Sequence, residues 1–257
     1  DKDRLAETVE RARRVVAELN GRGALSPESA VPLPYAKKDW LKIGLKDYRP
    51  KAVEALVMAG GVGVTAAGAA RLAEIEGLRE LVLLNAQIDN DSLGKLAALK
   101  DLATLILQRS ALIDDAGLER LKQFPKLSAL GLLEINITDK GLAGLLPNLP
   151  QLKLLDVRGS SQVTNAGLAP LRGLKTLKVL RVGGYQVNDE TLALAGELRS
   201  LTALTVQEAS ITDAGLKRLA GLPLEELHLF RCYKLTDEGL AALSGFDLKQ
   251  LTLRDLP

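Results

Sequence analysis

The residues of this chain that could do chemistry gather around His228, its only histidine. An imidazole can act as a general base toward a neighbouring hydroxyl, and a repeated pattern places Thr205 and Thr252 at the equivalent position on either side of it. The same pattern puts three carboxylates near enough to orient the ring, those of Glu208, Glu226 and Asp255. The sequence therefore permits a hydrolase with a threonine nucleophile.

A contact role for His228 is favoured over this hydrolase. The pattern predicts a flat row of strand residues, which offers neither an enclosing pocket nor evident donors for an oxyanion. With one histidine and one cysteine, the chain cannot form the usual His-based or Cys-rich metal sites. Cys232 fits a buried turn residue better than a nucleophile, and the glycines at 60, 61 and 63 are not followed by the Lys-Ser/Thr pair of a phosphate loop. We predict no catalytic residue, no metal and no cofactor.

The elements that position these residues come from a repeat of 23 to 25 residues. Its copies share apolar residues at positions 1, 4 and 6, as in Leu152, Leu155 and Val157. The step from position 4 to position 6 is the alternation of a β-strand, because successive strand side chains point to opposite faces. Nine copies start at Val53, Leu78, Leu102, Leu127, Leu152, Leu177, Leu201, Leu224 and Leu248.

A short helix is predicted after each strand. An apolar residue followed by Thr, Asn or Asp marks its start, since these side chains cap helix N-termini, and leucines three apart, such as Leu216 and Leu219, form one helical face. The predicted caps are Thr65, Asp89, Asp114, Thr138, Thr164, Asn188, Thr212 and Thr236. Because the strand is narrower than the helix, we predict an α/β, right-handed solenoid (a horseshoe) with a parallel inner sheet, short convex helices and a helical N-terminal cap.

The pattern LxxLxLxx followed by ITDxGLxxL resembles a leucine-rich repeat protein. Its second half, intact at residues 137–142 and 211–216, is similar to the cysteine-containing subclass found in F-box substrate receptors and to bacterial repeat proteins of the GALA and planctomycete kinds. The resemblance covers roughly Val53 to the end and implies an interaction role such as a scaffold or substrate receptor. Position 9 departs from the subclass, since it carries mostly small residues in place of cysteine; at Ile135 and Tyr185, where it is large, we expect less stable turns.

Composition excludes several classes of partner. A net charge of +2, from 34 basic and 32 acidic residues mixed along the chain, gives no global field that would attract nucleic acid or an anionic membrane. No apolar run reaches transmembrane length, so we expect a soluble protein. The first residue is Asp1 rather than Met, which leaves open a processed or trimmed start and a missing leader.

Residues 1–52 precede the repeats and are predicted to form a helical cap and linker. Residues 3–19 read as an amphipathic helix that could cover the first repeat, with a partner-binding helix as the alternative. Residues 23–34, with three prolines, read as a loop. The aromatic residues around Trp40 fit the cap better than a ligand platform, and no F-box is visible in this region.

Residues 53–257 are predicted to form the solenoid of about nine repeats. The chain reaches Pro257 directly after the last strand pattern, without a helix to cover the final repeat. Proteins ordinarily cover an open sheet edge. We therefore expect the solenoid to be truncated or to end in a very short cap, with oligomer contacts as the alternative.

The candidate binding surface is the concave side of the sheet, toward which strand positions 3, 5, 7 and 8 point. In its first half, Val82, Leu84, Ile106 and Leu133 should lie close together across adjacent strands. A contiguous exposed apolar patch usually marks a contact site. The alternative is that this half is covered from within the chain, for instance by residues 23–34. A one-residue slip in register would invert the assignment of faces.

The second half of this surface mixes Arg, acidic and aromatic side chains, a composition typical of protein–protein hot spots. The candidate residues are Asp156, Arg158, Arg181, Glu208, His228, Phe230, Arg231 and Arg254. Over the whole face arginines and acids balance, which does not favour binding to a phosphate backbone.

The sequence thus predicts a non-catalytic module that binds a protein or peptide on the concave face. We expect neither nucleic-acid binding nor membrane insertion, and a monomer is favoured over an oligomer. Two alternatives remain. The chain could be a structural module that packs against other parts of a longer polypeptide, or, less favoured, a hydrolase that uses His228.

Overall fold

The computed structural model describes residues 55–59 and 66–257, and side chains at 56 and from 68 onward. The chain divides into two compact units, residues 1–129 and 130–257. The predicted N-terminal cap of residues 1–52 and the glycines at 60–63 lie outside the described residues.

Strands and helices alternate in the described part of the first unit. Its elements are β1 (Ala55–Ala59), α1 (Ala66–Leu72), β2 (Glu80–Leu84), α2 (Asn90–Lys95), β3 (Thr104–Gln108) and α3 (Asp115–Leu121). A 3₁₀ turn, Leu96–Ala98, follows α2. The strands pair in parallel and in chain order, with Leu56, Leu81 and Leu105 in register. These leucines are 3% exposed or less, so position 4 of each repeat lies in the core.

The second unit continues the same alternation after β4 (Ala129–Leu133). Its elements are α4 (Asp139–Leu145), β5 (Leu154–Asp156), α5 (Asn165–Leu168), β6 (Val179–Gly183), α6 (Asp189–Gly196), β7 (Ala203–Gln207), α7 (Asp213–Lys217), β8 (Glu226–Phe230), α8 (Asp237–Ala241) and β9 (Gln250–Arg254). The 3₁₀ turns Leu146–Asn148, Ala169–Gly173 and Ala242–Gly245 follow α4, α5 and α8.

Parallel pairing in the second unit follows the repeat. Strands β5 to β9 pair in chain order, and Leu204, Leu227 and Leu251 are register partners in β7, β8 and β9. The strands occupy positions 3 to 7 of the copies that the sequence defined, with β5 shorter. The predicted strand–helix alternation and parallel sheet are therefore confirmed.

The predicted helix caps are also confirmed in the described part of the chain; Thr65 lies outside it. Each cap side chain accepts a hydrogen bond from a main-chain N–H in the first turn of its helix, which is the geometry that makes Thr, Asn and Asp effective at this position. The caps are Asp89, Asp114, Thr138, Thr164, Asn188, Thr212 and Thr236.

A second set of hydrogen bonds joins the helix starts of neighbouring repeats within the second unit. The Asp189 carboxylate, at the start of α6, accepts from the main-chain N–H of Thr212 at 2.7 Å and from its hydroxyl at 2.6 Å. Asp213 makes the same pair of bonds to Thr236 at 2.9 and 2.7 Å. The two residues of the Thr-Asp pair therefore have different roles. Thr caps the helix of its own repeat, and Asp accepts hydrogen bonds from the cap residue of the next repeat.

This contact should make stability depend on pH. The hydrogen bonds from the Thr236 hydroxyl and main chain lower the pKa of Asp213, because a protonated carboxyl is a poorer acceptor. The pKa of Asp89 is lowered for the same reason by its bonds from Ser92. A lowered folded-state pKa stabilises the fold above the unfolded value of about 3.9, and the contribution is lost as pH falls through the folded-state pKa.

We therefore expect the melting temperature of the wild-type protein to fall steeply between about pH 4 and pH 2. Asp213→Asn should melt at a lower temperature near pH 6 but show a shallower acid slope, because its amide does not titrate. Circular dichroism melts across this pH range test the prediction, with Asp247→Asn, at an exposed position outside the helices and strands, as the charge-matched control. Equal slopes for wild type and Asp213→Asn would contradict it.

Turn position 9 is occupied differently from repeat to repeat. The Ser160 hydroxyl donates to the carbonyl of Leu132 at 2.8 Å, and the Cys232 thiol faces the carbonyl of Val206 at 3.8 Å. Cys232 is fully buried, as predicted, and burial raises the pKa of its thiol, which suppresses the reactive thiolate.

Candidate interaction surface

The strand side chains at positions 3, 5 and 7 form the sheet face that points away from the helices, here called the helix-distal face. Strand β8 shows the parity most clearly. Leu227 and Leu229 are fully buried, whereas Glu226, His228 and Phe230 between them are partly exposed. Because successive strand residues face opposite sides, this alternation agrees with the register assigned from the sequence.

Repeat position 8, which directly follows most of the strands, adopts the left-handed conformation from the second repeat onward. It has φ between 51° and 55° in Asn85, Arg109, Glu134, Glu208, Arg231 and Asp255, and it is glycine at 159 and 184. A non-glycine residue pays a steric cost in this region. Position 8 therefore turns the chain out of the sheet while keeping charged side chains at the strand ends.

The apolar residues of the predicted site are not equally accessible. Val82 and Ile106 are register partners in β2 and β3, as predicted, but they are 0% and 1% exposed. Leu133 is buried as well, and only Leu84 is half-buried. The sequence led us to expect an exposed apolar patch, and the structure instead buries most of it. Residues 23–34, the predicted cover, lie outside the described residues.

Three charged residues of the predicted site meet on β5 and β6. Asp156 is fully buried, and its carboxylate accepts from the Arg158 guanidinium through Nη2 at 2.7 Å and Nε at 2.9 Å. Arg181 is the register partner of Asp156 and is 6% exposed. A carboxylate held by a guanidinium through two hydrogen bonds can be buried because charge and hydrogen bonding offset much of its desolvation.

His228 lies beside Thr252, as the equivalent repeat positions predicted, and it also stacks on Phe230, which the sequence analysis did not predict. Its Nδ1 lies 2.9 Å from the Thr252 hydroxyl, and its ring stacks parallel to Phe230 with centroids 6.3 Å apart. The Glu226 carboxylate is 3.8 Å from Nε2, which is too long for a hydrogen bond. Thr205 is a register partner of His228 and is 4% exposed. The Thr252 hydroxyl and the ring are within hydrogen-bonding distance, whereas the Glu226 carboxylate lies beyond it.

An ion-pair row follows the ends of β7, β8 and β9. The Arg231 guanidinium lies 2.5 Å from Glu208 and 3.4 Å from Asp255. The hydrogen bond to Glu208, then its charge, raises the pKa of Arg231. The Arg254 guanidinium lies 3.7 Å from Asp255, and its side chain is 71% exposed. This end of the second unit therefore presents accessible charge beside the His228–Phe230 stack.

Large exposed side chains outside the predicted set flank these strand ends. Tyr185 is 77% exposed and Tyr233 is 60% exposed. Sequence reasoning flagged Tyr185 only as an oversized turn residue, and Tyr233 lies next to the position-9 cysteine. Counting the residues after each strand as part of the surface would have found both.

The described residues hold no cluster of three His, Cys, Asp or Glu side chains with the spacing of a metal site. Within the same residues, no helix combines the length and the apolar composition that crossing a membrane requires.

Two sequence families match parts of the chain. The family described as the leucine-rich repeats of an FBD-associated F-box protein matches residues 66–169. A second family, described as Leucine Rich repeat, matches residues 223–244. No curated protein matches the sequence significantly.

Solved structures of internalins from Listeria monocytogenes resemble the fold. Internalin C2 aligns over 95% of this chain and 92% of its own, with 26% identical residues and a TM-score of 0.54. A second internalin (inlF) aligns over 78% of this chain and 61% of its own, with 20% identity and a TM-score of 0.52. The second likeness shows the fold alone. Together with the strand–helix repeat and the family matches, these structures show that the chain carries leucine-rich repeats and folds as an α/β leucine-rich-repeat solenoid.

Proposed function

We propose that this chain is a non-catalytic module that binds a protein or peptide on the helix-distal face of β7, β8 and β9. Leucine-rich repeats are typically protein-interaction modules, and this is the coarse role that the family matches support. The observation that carries the finer proposal is the partly exposed Phe230, stacked on His228, next to the exposed Arg231 and Arg254.

The solvent exposure of the side chains favours β7, β8 and β9 over the apolar half of the face as the binding site. A partner can desolvate only side chains that water reaches, and Val82 and Ile106 are fully buried. Phe230, by contrast, is partly exposed on a strand whose core residues are fully packed. A rigid strand holding a half-exposed aromatic side chain presents an anchor that loses little conformational entropy when a partner covers it.

The chemistry of the surface indicates the kind of partner. Arginine and aromatic side chains are enriched at interface hot spots, and Arg254 offers an exposed guanidinium that can pair with a partner carboxylate. Arg231 is already held by Glu208, so it orients less freely. We infer a partner segment that places an apolar side chain on Phe230 and a carboxylate near Arg254.

Capture experiments with matched variants test the proposal. Tagged wild-type protein, Phe230→Ala and Arg254→Glu would each be incubated with lysate of the source cells, and retained proteins quantified by mass spectrometry. We expect one specific protein to be retained by wild type and reduced at least about tenfold in both variants. Lys217→Glu, an equally drastic charge reversal on an exposed residue of α7, should retain it.

Circular dichroism would first establish that each variant is folded. A protein lost equally from Lys217→Glu and Arg254→Glu would point to a general charge effect. Retention of the same set by wild type and both face variants would overturn the proposed site.

Two other functions make different predictions. A structural module that packs against other parts of its own polypeptide would show no separable partner, and the burial of Val82 and Ile106 is the observation that favours it. A hydrolase would require turnover that disappears in His228→Ala. The contact between His228 and Thr252 favours it, whereas the gap to Glu226 argues against it.

The finer family resemblance also belongs to this proposal. The match of residues 66–169 to the repeats of an F-box protein supports a receptor-like role in which the repeats hold another protein. The intact ITDxGL copies at residues 137–142 and 211–216 are what the cysteine-containing subclass and the GALA-type proteins would share.

A further inference from the structure

A row of positive charge lies along the side of the second unit at which β5, β6 and β7 begin. The row belongs to the four residues that end at repeat position 2, which are 150–153, 175–178 and 199–202 in these three repeats. They include no acidic residue and four basic ones, Lys153, Lys175, Lys178 and Arg199. All four basic side chains are exposed. This surface, here called the basic rim, is separate from the helix-distal face.

The corresponding positions of other repeats carry charges of opposite sign, which pair between neighbours. In the first unit, Lys126 Nζ lies 2.6 Å from the Asp101 carboxylate. In the second unit, Lys249 Nζ lies 2.9 Å from the Glu225 carboxylate, and both of these residues occupy position 2. Side chains at position 2 of adjacent repeats are therefore close enough to attract or repel each other.

Lys153 and Lys178 occupy position 2 of adjacent repeats with the same charge. Their main chains lie side by side, since the N–H of Lys178 donates to the carbonyl of Lys153 at 2.8 Å. Among the described residues, no carboxylate forms an ion pair with either lysine, with Lys175 or with Arg199. Like charges at neighbouring strand positions repel. A partner that brings carboxylates to the basic rim would relieve this repulsion.

We propose that the basic rim binds a protein segment rich in aspartate or glutamate, in extended conformation across the starts of β5, β6 and β7. Neighbouring parallel strands lie about 4.8 Å apart, so three of them span about 10 Å. Alternate residues of an extended segment lie about 7 Å apart on the same side, so a pair of alternate carboxylates fits this length. Ammonium and guanidinium groups donate charge-assisted hydrogen bonds to such carboxylates.

A nucleic acid is the less favoured anion for this surface. Proteins that bind single strands combine a positively charged groove with aromatic side chains on which the bases stack, and the residues of the basic rim include no aromatic side chain. Affinity for nucleic acid also depends on the number of neutralised phosphates, and the net charge of the whole chain is only +2. A short surface with few cations therefore suits a short acidic peptide.

Fluorescence anisotropy of labelled peptides with the 257-residue chain tests the proposal. The probe is a peptide of alternating glutamate and serine, with alternating glutamine and serine as the neutral control, in about 20 mM salt, where screening is weak. We expect only the glutamate peptide to bind. Lys153→Glu should weaken its binding by at least about fivefold, because it removes one attraction and adds one repulsion. Lys140→Glu, at an exposed lysine of α4, should bind the peptide like wild type.

Thermal melts separate a role of Lys153 in binding from a role in folding. Lys153→Glu sets opposite charges at position 2 of adjacent repeats, as in the pair of Glu225 and Lys249, so it should melt at or above the wild-type temperature in low salt. Phe230→Ala, which tests the helix-distal face, should bind the glutamate peptide like wild type. Failure of one proposed site is thus distinguishable from failure of the other.

Four results would each overturn the proposal. These are no binding of the glutamate peptide in low salt, equal binding of the glutamine peptide, an equal loss of binding in Lys140→Glu, and a lower melting temperature for Lys153→Glu. A single-stranded oligothymidylate that binds more tightly than the glutamate peptide, and is released by Lys153→Glu, would show instead that the basic rim binds nucleic acid.

Discussion

Replacing Asp156 with alanine is expected to lower the free energy of unfolding by about 3 kcal/mol. Its carboxylate is fully buried and holds the Arg158 guanidinium through two nitrogens at 2.7 and 2.9 Å. Removing it leaves the Arg158 charge, on a side chain only 22% exposed, in a poorly hydrated site without its carboxylate partner. Removing one partner of a buried pair costs more than the pair itself contributes, because the other charge stays desolvated.

Urea unfolding followed by circular dichroism measures this loss. Glu208→Ala is the matched control, since it removes the carboxylate of an ion pair to Arg231 on the same face of the same unit, but with both side chains exposed by more than a third. Exposed pairs contribute little, so the control should lose much less stability. If both variants unfolded at the same urea concentration, burial would not be the source of the Asp156 effect.

The strand–helix order of the chain could be predicted because it depends on local patterns. The Leu-x-Leu alternation of β8 and the Thr236 cap of α8 each lie within a few residues of the structure they specify. A single copy of such a pattern does not distinguish a strand from a helix reliably. Repetition makes the assignment specific, because every copy must pack against the next one. The register of Val82 with Ile106 followed from the same alignment.

The accessibility of the candidate site could not be predicted in this way. Residue type and strand parity say which face Val82 occupies, but burial depends on what else in the chain approaches that face. The same limit applies to Asp156, which reads as an exposed acid in the sequence and is fully buried in an ion pair with Arg158. The odd or even position of a residue in its strand determines which face of the sheet its side chain occupies. Its burial depends on tertiary contacts, which the pattern of one sequence does not contain.

The Asp-x-Gly part of the repeat could be recognised as a motif, but its physical reason needed coordinates. The Asp139 carboxylate accepts from the N–H and hydroxyl of Thr164 at 2.6 Å each and from the N–H of Gly167 at 3.0 Å. The absence of a side chain at Gly167 therefore leaves the space that the Asp139 carboxylate of the preceding repeat occupies. The glycine is required by a close approach between residues that are 28 positions apart in the sequence, which no local pattern reveals.

Gly167→Ala is accordingly expected to destabilise the second unit by about 2–3 kcal/mol. A Cβ at this position would lie 2.5 Å from Asp139 Oδ1 and 2.9 Å from its Cα. The carboxylate could swing away, but the Cα is main chain, so α4 and α5 must move apart and the three hydrogen bonds to Asp139 are weakened together. For a chain of this size the melting temperature should fall by roughly 4–10 °C.

Gly173→Ala separates this steric effect from the general effect of replacing glycine. It lies at the end of the 3₁₀ turn that follows α5, and a Cβ there meets nothing within 4 Å, so the change should be neutral or stabilise by up to about 1 kcal/mol. Asp139→Ala supplies the second arm of a double-mutant cycle. Since Gly167→Ala and Asp139→Ala disrupt the same bonds, their combined loss in calorimetric melts should be clearly smaller than the sum of the two. Additive losses would mean that Gly167 acts independently of the Asp139 contact, and the close approach would then not explain why the repeat places glycine there.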